Sequence, residues 1–175
     1  VPFSHGSGFF VRKDGVLVTS YHVISNAADI KVKAGGKVLH VEGLLYADKE
    51  NDIAILKVKG ETLHTVRLGN SDGVDMGDKF YVISSPQGAE SKMSEGILRG
   101  IKELGPHRRA LQITAPLSPG SSGGPVFNKN NEVIGIATFI VKEAFTHREV
   151  QNLNFAVPVN LIKDKISTKK VTPLK

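Results

Sequence analysis

Along the first half of the chain, apolar and polar positions alternate in the pattern of short β-strands. Turn signals such as Lys13-Asp14-Gly15 and Gly35-Gly36 separate the apolar segments. The strand patterns lie at residues 9–11, 16–18, 30–33 and 39–42. Residues 53–58 are nearly all apolar, which is typical of a strand buried on both faces. This half of the chain is therefore predicted to be all β.

The second half repeats this pattern after a polar, glycine-rich stretch at residues 69–79, which we interpret as a connection between two halves. The strand patterns beyond it lie at residues 80–83, 96–101, 110–114, 132–141 and 154–157. Short strands with a turn about every 8–12 residues favour an all-β barrel or sandwich.

Helix is expected in only two places. A short segment at residues 23–27 follows His22, and a C-terminal helix opens at Asn160, whose side chain suits an N-cap. The apolar face of that helix comprises Leu161, Ile162 and Ile166. Residues 168–175 are expected to form a frayed tail.

Length and composition fit one compact globular unit or two small barrels packed together. The 175 residues are 40% hydrophobic and 23% charged. Cysteine is absent, which excludes disulfides, thiolate metal sites and a cysteine nucleophile. No cluster of His and Asp has the spacing of metal ligands, so we expect neither a metal nor an organic cofactor.

The net charge of +6 comes from 23 basic and 17 acidic residues, and we interpret it as a solvated surface. A nucleic-acid interface would combine clustered basic and aromatic residues, but the basic residues are scattered and aromatics make up only 6%. Nucleic-acid binding is therefore not expected. No apolar run reaches the length of a membrane span, and no signal peptide is visible in the sequence.

Residues 120–125 (GSSGGP) carry the strongest chemical signal. A serine hydroxyl becomes a nucleophile when a neighbouring base takes its proton, and the resulting oxyanion needs two converging N–H groups. Glycines on both sides of a serine permit that geometry, because they tolerate positive φ and let a substrate backbone approach. The motif alone leaves open a plain glycine-rich turn.

His22 and Asp52 are the candidate partners of that serine. His22 follows the strand pattern at residues 16–18, and Asp52 precedes the buried strand at residues 53–58. Taken singly, either could be an ordinary packed or turn residue. A buried aspartate needs a partner, however, and an imidazole N–H is a suitable one that also fixes the histidine tautomer. The other histidines are interpreted as ordinary residues: His5, His40, His64, His107 and His147.

The chain order His22, Asp52, Ser122 is the order of chymotrypsin. Residues 19–24 (TSYHVI) and 51–58 (NDIAILKV) resemble the histidine and aspartate motifs of HtrA/Deg-type peptidases. Their inter-barrel segment, nucleophile loop and closing strands are matched by residues 68–72, 77–78, 85–88, 119–125, 133–136 and 154–158. The resemblance covers nearly the whole chain.

This resemblance implies an all-β, chymotrypsin-like fold: two perpendicular six-stranded antiparallel β-barrels and a short C-terminal helix. The implied bounds are residues 1–68 for the first barrel, 69–79 for the connection, 80–167 for the second barrel and 168–175 for the tail. The first barrel would carry His22 and Asp52, and the second would carry Ser122.

The resemblance also implies roles for individual residues. Ser122 would attack the scissile carbonyl, His22 would act as base and then acid, and Asp52 would orient His22. The N–H groups of Gly120 and Ser122 would form the oxyanion hole, and the hydroxyl of Thr138 would support Asp52.

The implied function is that of a serine endopeptidase that cleaves unfolded or exposed protein segments through an acyl-enzyme, as in protein quality control. Its partners would be protein or peptide substrates, a homo-oligomer is compatible with the family, and the implied location is extracytoplasmic, either periplasmic or secreted. One departure is Ser121, which stands where the family often has Asn. The spacing to Gly123-Gly124-Pro125 favours Ser122 over Ser121 as the nucleophile.

Two other classes of protein also fit part of these motifs. The G-x-S-x-G elbow of α/β-hydrolases also fits residues 120–124, but it requires a helix after the serine, which Gly123-Gly124-Pro125 opposes. It also requires Asp before His downstream, whereas His147 precedes Asp164. The other alternative is a protease fold that serves as a peptide-binding or scaffolding module with weak or no catalysis.

The specificity pocket is expected to be apolar and shallow. Trypsin-like relatives place a charged residue six positions before the nucleophile, and here that position is Pro116, followed by Leu117. The pocket wall is expected from the strand after Thr138, where Phe139 is followed by Ile140 in place of the glycine of wide pockets. We therefore predict cleavage after small or medium aliphatic residues.

Overall fold

The structure is a computed structural model that describes residues 5–27, 29–60, 63–84, 91–106, 108–138, 154–167 and 170–174. Within these residues it consists of two mainly antiparallel sheets, one short α-helix and several 3₁₀ turns. No helix in these ranges is long and apolar enough to cross a membrane.

The first sheet has five strands in the order β1-β2-β5-β4-β3. Its elements are β1 (Gly8–Arg12), β2 (Val16–Thr19), β3 (Lys31–Ala34), β4 (Lys37–Asp48) and β5 (Ile53–Val58), with α1 (Tyr21–Ile24) between β2 and β3. β5 lies in the middle of the sheet, and every one of its residues except Lys57 is buried. The apolar run at residues 53–58 therefore has the bounds and the burial that the sequence predicts.

The second sheet closes on itself. Its elements are β6 (Arg67–Leu68), β7 (Lys79–Ser84), β8 (Lys92–Gly105), β9 (Arg108–Ile113), β10 (Pro125–Phe127), β11 (Glu132–Thr138) and β12 (Asn154–Pro158). Six of them form a ring, β10-β7-β8-β9-β12-β11, because β10 also pairs with β11. The remaining strand, β6, runs parallel to β11 at the side of this barrel.

The predicted chymotrypsin-like fold class is thus confirmed, with one difference in strand number. The second sheet is a closed barrel of six strands, whereas the first is a half-barrel of five strands in the described part of the chain. The division at residues 68 and 80 stays a proposal, and the pairing of β6 with β11 shows that contacts cross it.

A shared hydrophobic core joins the two sheets. Side chains of the first sheet such as Phe9 and Ile55 pack in one cluster with side chains of the second half such as Ile136 and Val157. Each sheet also has a cluster of its own. Because interiors are close-packed, this common core fixes how loops from the two sheets meet.

The C-terminal helix differs in type and in start from the prediction. It is a 3₁₀ turn at Val159–Ile162, and the Asn160 side chain does not cap it. Instead, Asn160 Oδ1 accepts from Ser71 N at 3.1 Å, and Asn160 Nδ2 donates to Asn70 Oδ1 at 2.9 Å. The Asn160 side chain was expected to cap its own helix, but it forms hydrogen bonds with distant residues instead.

The expectation of a frayed tail is wrong for residues 170–174, the part of the tail that the structure describes. Backbone hydrogen bonds run in both directions between Thr172 and Leu44 of β4, at 2.7 and 2.8 Å. Val171 packs against the shared core. This segment is therefore held by backbone pairing and apolar contact, which residue composition at a chain end does not reveal.

Candidate active site

The buried carboxylate of Asp52 receives three hydrogen bonds from two other parts of the chain. Asp52 Oδ1 accepts from the backbone N–H of His22 at 2.8 Å, and Asp52 Oδ2 lies 2.8 Å from His22 Nδ1. The Thr138 hydroxyl, at the end of β11, donates to Asp52 Oδ2 at 2.8 Å. A carboxylate taken out of water needs such donors, and here both oxygens have them.

This pairing sets the chemistry of His22. An ionised carboxylate only accepts hydrogen bonds, so Nδ1 of His22 carries the proton and Nε2 is left with a free lone pair. The Asp52 side chain is 5% exposed and that of His22 is 32% exposed, so the acid lies inside and the imidazole reaches the surface. His22 is thereby prepared to accept a proton at Nε2.

Asp52 also explains where α1 begins. The sequence predicts a helical segment at residues 23–27, but α1 starts at Tyr21, and Ser20 makes no side-chain cap. The first two N–H groups of α1 bind Asp52: Tyr21 N donates to its carbonyl at 3.2 Å and His22 N to its carboxylate. A carboxylate at a helix start satisfies N–H groups that have no intrahelical partner.

The loop that carries Ser122 is tied to β11 on one side. It begins with a 3₁₀ turn at Pro119–Ser121, and Gly123 N then donates to Ala137 O at 2.8 Å. Ala137 N returns a hydrogen bond to Gly124 O at 2.9 Å. Thr138, which holds Asp52, directly follows Ala137, so the Ser122 loop and the His22–Asp52 pair share β11 as a support.

Ser7 ties the same loop to the first sheet, and sequence reasoning missed it. Ser7 N donates to Ser122 O at 2.8 Å, and the Ser7 hydroxyl donates to Gly120 O at 2.7 Å. Thr19 Oγ1 in turn donates to Ser7 O at 2.7 Å. The only signal in the sequence is a serine between two glycines before β1, which does not reveal a partner more than a hundred residues away.

The two adjacent serines differ in their surroundings. The Ser121 hydroxyl accepts from Ser118 N at 3.1 Å and lies 3.3 Å from the Ser118 hydroxyl, so it has a structural use. Ser122 Oγ is buried and makes no hydrogen bond. The structure therefore joins His22, Asp52 and Thr138 but does not make the contact between Ser122 and His22. Such contacts are often long before substrate binds.

Both the backbone conformation and the close packing at position 123 require glycine. Its φ is +90°, and a Cβ there would collide with the Ser7 carbonyl oxygen and the Thr19 hydroxyl. We expect Gly123→Ala to lower the free energy of unfolding by about 3 kcal/mol or more, because backbone strain and overpacking add. Urea denaturation measures this loss.

Gly77→Ala is the matched control for that substitution. Gly77 has a similar φ of +86°, but apart from its two chain neighbours no described residue has an atom within 4 Å of the position of an added Cβ. This variant should lose only about 1–2 kcal/mol, from backbone strain alone. Equal losses in the two variants would contradict the tight contact between the Ser122 loop and Ser7.

The residues predicted for the specificity pocket are placed only in part. Pro116 is exposed, and its carbonyl accepts from the Ser94 hydroxyl at 2.9 Å. Leu117 is half-buried and packs against the core of the second barrel. Phe139 and Ile140 lie outside the described residues. In the described ranges, no group of three or more metal-ligating side chains is found.

Two β-sheets around a shared core, with an Asp–His pair on the first, are typical of chymotrypsin-like serine peptidases. The model of the trypsin-like peptidase domain matches residues 6–136. The chain belongs to this family, and the recognition made from its motifs is confirmed.

Individual relatives agree with the family assignment. A probable periplasmic serine endoprotease, DegP-like, of Pseudomonas fulva is 35% identical over 165 residues, covering 92% of this chain and 34% of the relative. A putative serine protease HhoB of Synechocystis is 36% identical, over 88% of this chain and 37% of the relative. The chain thus spans about a third of the length of these curated relatives.

A solved structure is also similar. The HtrA-type protease AlgW, solved with a decapeptide, has a TM-score of 0.77 and 30% sequence identity to this chain. The similarity covers 92% of this chain and 50% of that one.

Proposed function

We propose that this chain is a serine endopeptidase that uses His22, Asp52 and Ser122 as its catalytic triad. The observation that carries the proposal is the buried Asp52 carboxylate, which binds both the backbone N–H and the imidazole Nδ1 of His22. A purely structural aspartate would not need to face the imidazole of a partly exposed histidine.

The reaction follows from these positions. Ser122 Oγ attacks the scissile carbonyl while His22 Nε2 takes its proton, and Asp52 stabilises the imidazolium that forms. The N–H groups of Gly120 and Ser122 stabilise the oxyanion. His22 then gives the proton to the leaving amine, and water hydrolyses the acyl-enzyme on Ser122. The first step requires the Ser122 side chain to turn towards His22.

The chemistry of the family supports unfolded or exposed protein segments as substrates. We assign the chain an extracytoplasmic location, because its relatives include proteins named periplasmic serine endoproteases. Protein quality control fits this location. We also propose that the chain can form a homo-oligomer and that its activity requires neither nucleic acid nor a cofactor.

One observation favours a second candidate, a module that binds peptides without cleaving them. Ser122 Oγ contacts no base in this structure. Digestion of a chemically unfolded protein separates the two candidates: the endopeptidase gives internal fragments at a rate unchanged by chelators. Binding of the unfolded protein without any fragment would support the module and contradict the endopeptidase.

Digestion of a peptide library tests the predicted specificity. We expect cleavage after Val, Ala, Ile or Leu, because an apolar pocket gains about 25 cal/mol per Å² of buried aliphatic surface. Neither Pro116 nor Leu117 carries a charge that could pair with Lys or Arg, and burying an unpaired cation is costly. Sequencing the products of a peptide library measures the preference.

Ile140→Gly is the control for this pocket. If Ile140 narrows the opening, the variant should accept larger residues such as Phe while keeping its rate on Ala substrates. Dominant cleavage after Lys or Arg by the parent chain would contradict the apolar pocket, even with the triad intact.

A further inference from the structure

Asp52 lies in a backbone conformation that residues other than glycine adopt uncommonly. Its φ is 57°, in the left-handed region, directly before β5. In hairpin connections this position is normally taken by Gly, Asn or Asp, because a Cβ crowds the backbone there and a short polar side chain can bind the nearby backbone. A residue held in this region persists when its surroundings fix it, and such residues cluster at functional sites.

The turn between β4 and β5 supplies the fixing contacts. Asp48 Oδ1 accepts from Asn51 N at 3.0 Å, and Asp48 Oδ2 accepts from Asn51 Nδ2 at 2.8 Å. Asp52 N then donates to Lys49 O at 3.3 Å. Tyr46 adds a longer hydrogen bond from its hydroxyl to Asp48 Oδ2, at 3.4 Å.

These contacts favour the charged form of Asp48. Partial burial alone would raise the pKa of the Asp48 carboxyl, but the hydrogen bonds it accepts, mainly from the side chain and backbone of Asn51 and also from Tyr46 and the Glu50 backbone, together lower it. At neutral pH, Asp48 is therefore an ionised acceptor that clamps the residue immediately before Asp52.

We propose that Asp48 and Asn51 are positioning residues for the His22–Asp52 pair. Their clamp fixes the left-handed backbone of Asp52 and so aims its carboxylate at the backbone and imidazole of His22. Neither side chain touches the reacting atoms, so they act through Asp52. The inference rests on the proposed function, since a misoriented Asp52 carboxylate lowers turnover only if the chain is a peptidase.

A second turn in the protein resembles the turn between β4 and β5 but places no carboxylate in the proposed active site. Asn128 Oδ1 accepts from Asn130 N at 2.9 Å and from Glu132 N at 3.0 Å. The residue before β11, Asn131, has a φ of 59°. This turn, between β10 and β11, uses the same kind of side-chain clamp on a left-handed residue, but Asn131 is exposed and binds no part of the site.

Asp48→Ala tests the proposal. It should lower kcat by about 10- to 100-fold with little change in KM, because a small misplacement of a catalytic group costs this much. The acid limb of the pH–rate profile should move to lower pH, because a poorly aimed carboxylate stabilises the imidazolium less. The downfield NMR resonance of the His22 Nδ1 proton should broaden or move upfield.

Two further variants make the result specific. Asp48→Asn keeps an acceptor oxygen for Asn51 N and should recover most of kcat and the parent resonance. Asn128→Ala should lose stability in urea but leave kcat, the pH profile and the resonance unchanged. If Asp48→Ala does not fold, Asn51→Ala, which keeps the backbone hydrogen bond, takes its place and should also disturb the resonance.

The proposal is overturned if removal of the clamp leaves the Nδ1 resonance and kcat unchanged. It is also overturned if Asn128→Ala and Asp48→Ala lower activity alike. Because the resonance does not need turnover, it reports on the clamp even if the parent chain cleaves no peptide. Failure of the proposed function and failure of the positioning role are therefore distinguishable.

Discussion

Ser122→Ala should lower the rate of cleavage of an unfolded protein by on the order of 10⁶-fold and leave the fold intact. The hydroxyl is the nucleophile in our proposal, and its removal takes away the acyl-enzyme route, so only catalysis from binding and from the oxyanion hole remains. Ser122 Oγ makes no hydrogen bond, so its loss should cost little stability. Initial rates and urea denaturation of the same preparation measure both effects.

Ser121→Ala is the matched control, one residue away in the same loop. The Ser121 hydroxyl binds Ser118, so this variant should lose about 1 kcal/mol of stability and keep its activity to within a small factor. Activity retained in Ser122→Ala and lost in Ser121→Ala would move the nucleophile and refute the assigned oxyanion hole.

Asp52→Asn should lower kcat by about 10⁴-fold. The substitution leaves shape nearly unchanged, and Asn tolerates the φ of 57° at this position at least as well as Asp does. An amide NH₂ cannot accept the Nδ1 proton of His22, so the imidazole would be held in the wrong tautomer and lose its base at Nε2. Steady-state kinetics with a peptide substrate measure the loss.

Asp78→Asn serves as the control for Asp52→Asn. Asp78 also accepts a backbone hydrogen bond, from Asp75 N at 2.8 Å, but it is exposed and lies outside the proposed site. Its kcat should equal that of the parent chain. An Asp52→Asn variant that keeps more than about a tenth of the parent kcat would contradict the role of Asp52.

The parts of the fold that depend on local pattern could be predicted from the sequence. The apolar run at residues 53–58 became β5 with the predicted bounds, because a strand buried on both faces needs apolar side chains throughout. His22 and Asp52 were found by their positions beside strands and by resemblance, and the structure places them in contact.

The missed features depend on contacts between distant segments. Asn160 was assigned to a helix cap but binds Ser71 and Asn70, and Ser7 was overlooked although it holds the Ser122 loop. The left-handed conformation of Asp52 was equally invisible, because it belongs to the assembled turn between β4 and β5. Such features follow from the assembled fold and have no periodicity along the chain.

Labelling with a fluorophosphonate probe, followed by mass-spectrometric mapping, tests the central claim most directly. The probe reacts with a serine hydroxyl only when a base activates it, so it detects the His22–Asp52–Ser122 triad without a known substrate. We predict one label per chain, on Ser122, that is abolished in Ser122→Ala and strongly slowed in Asp52→Asn. A folded chain that takes up no label, or takes it up on Ser121, would contradict the account.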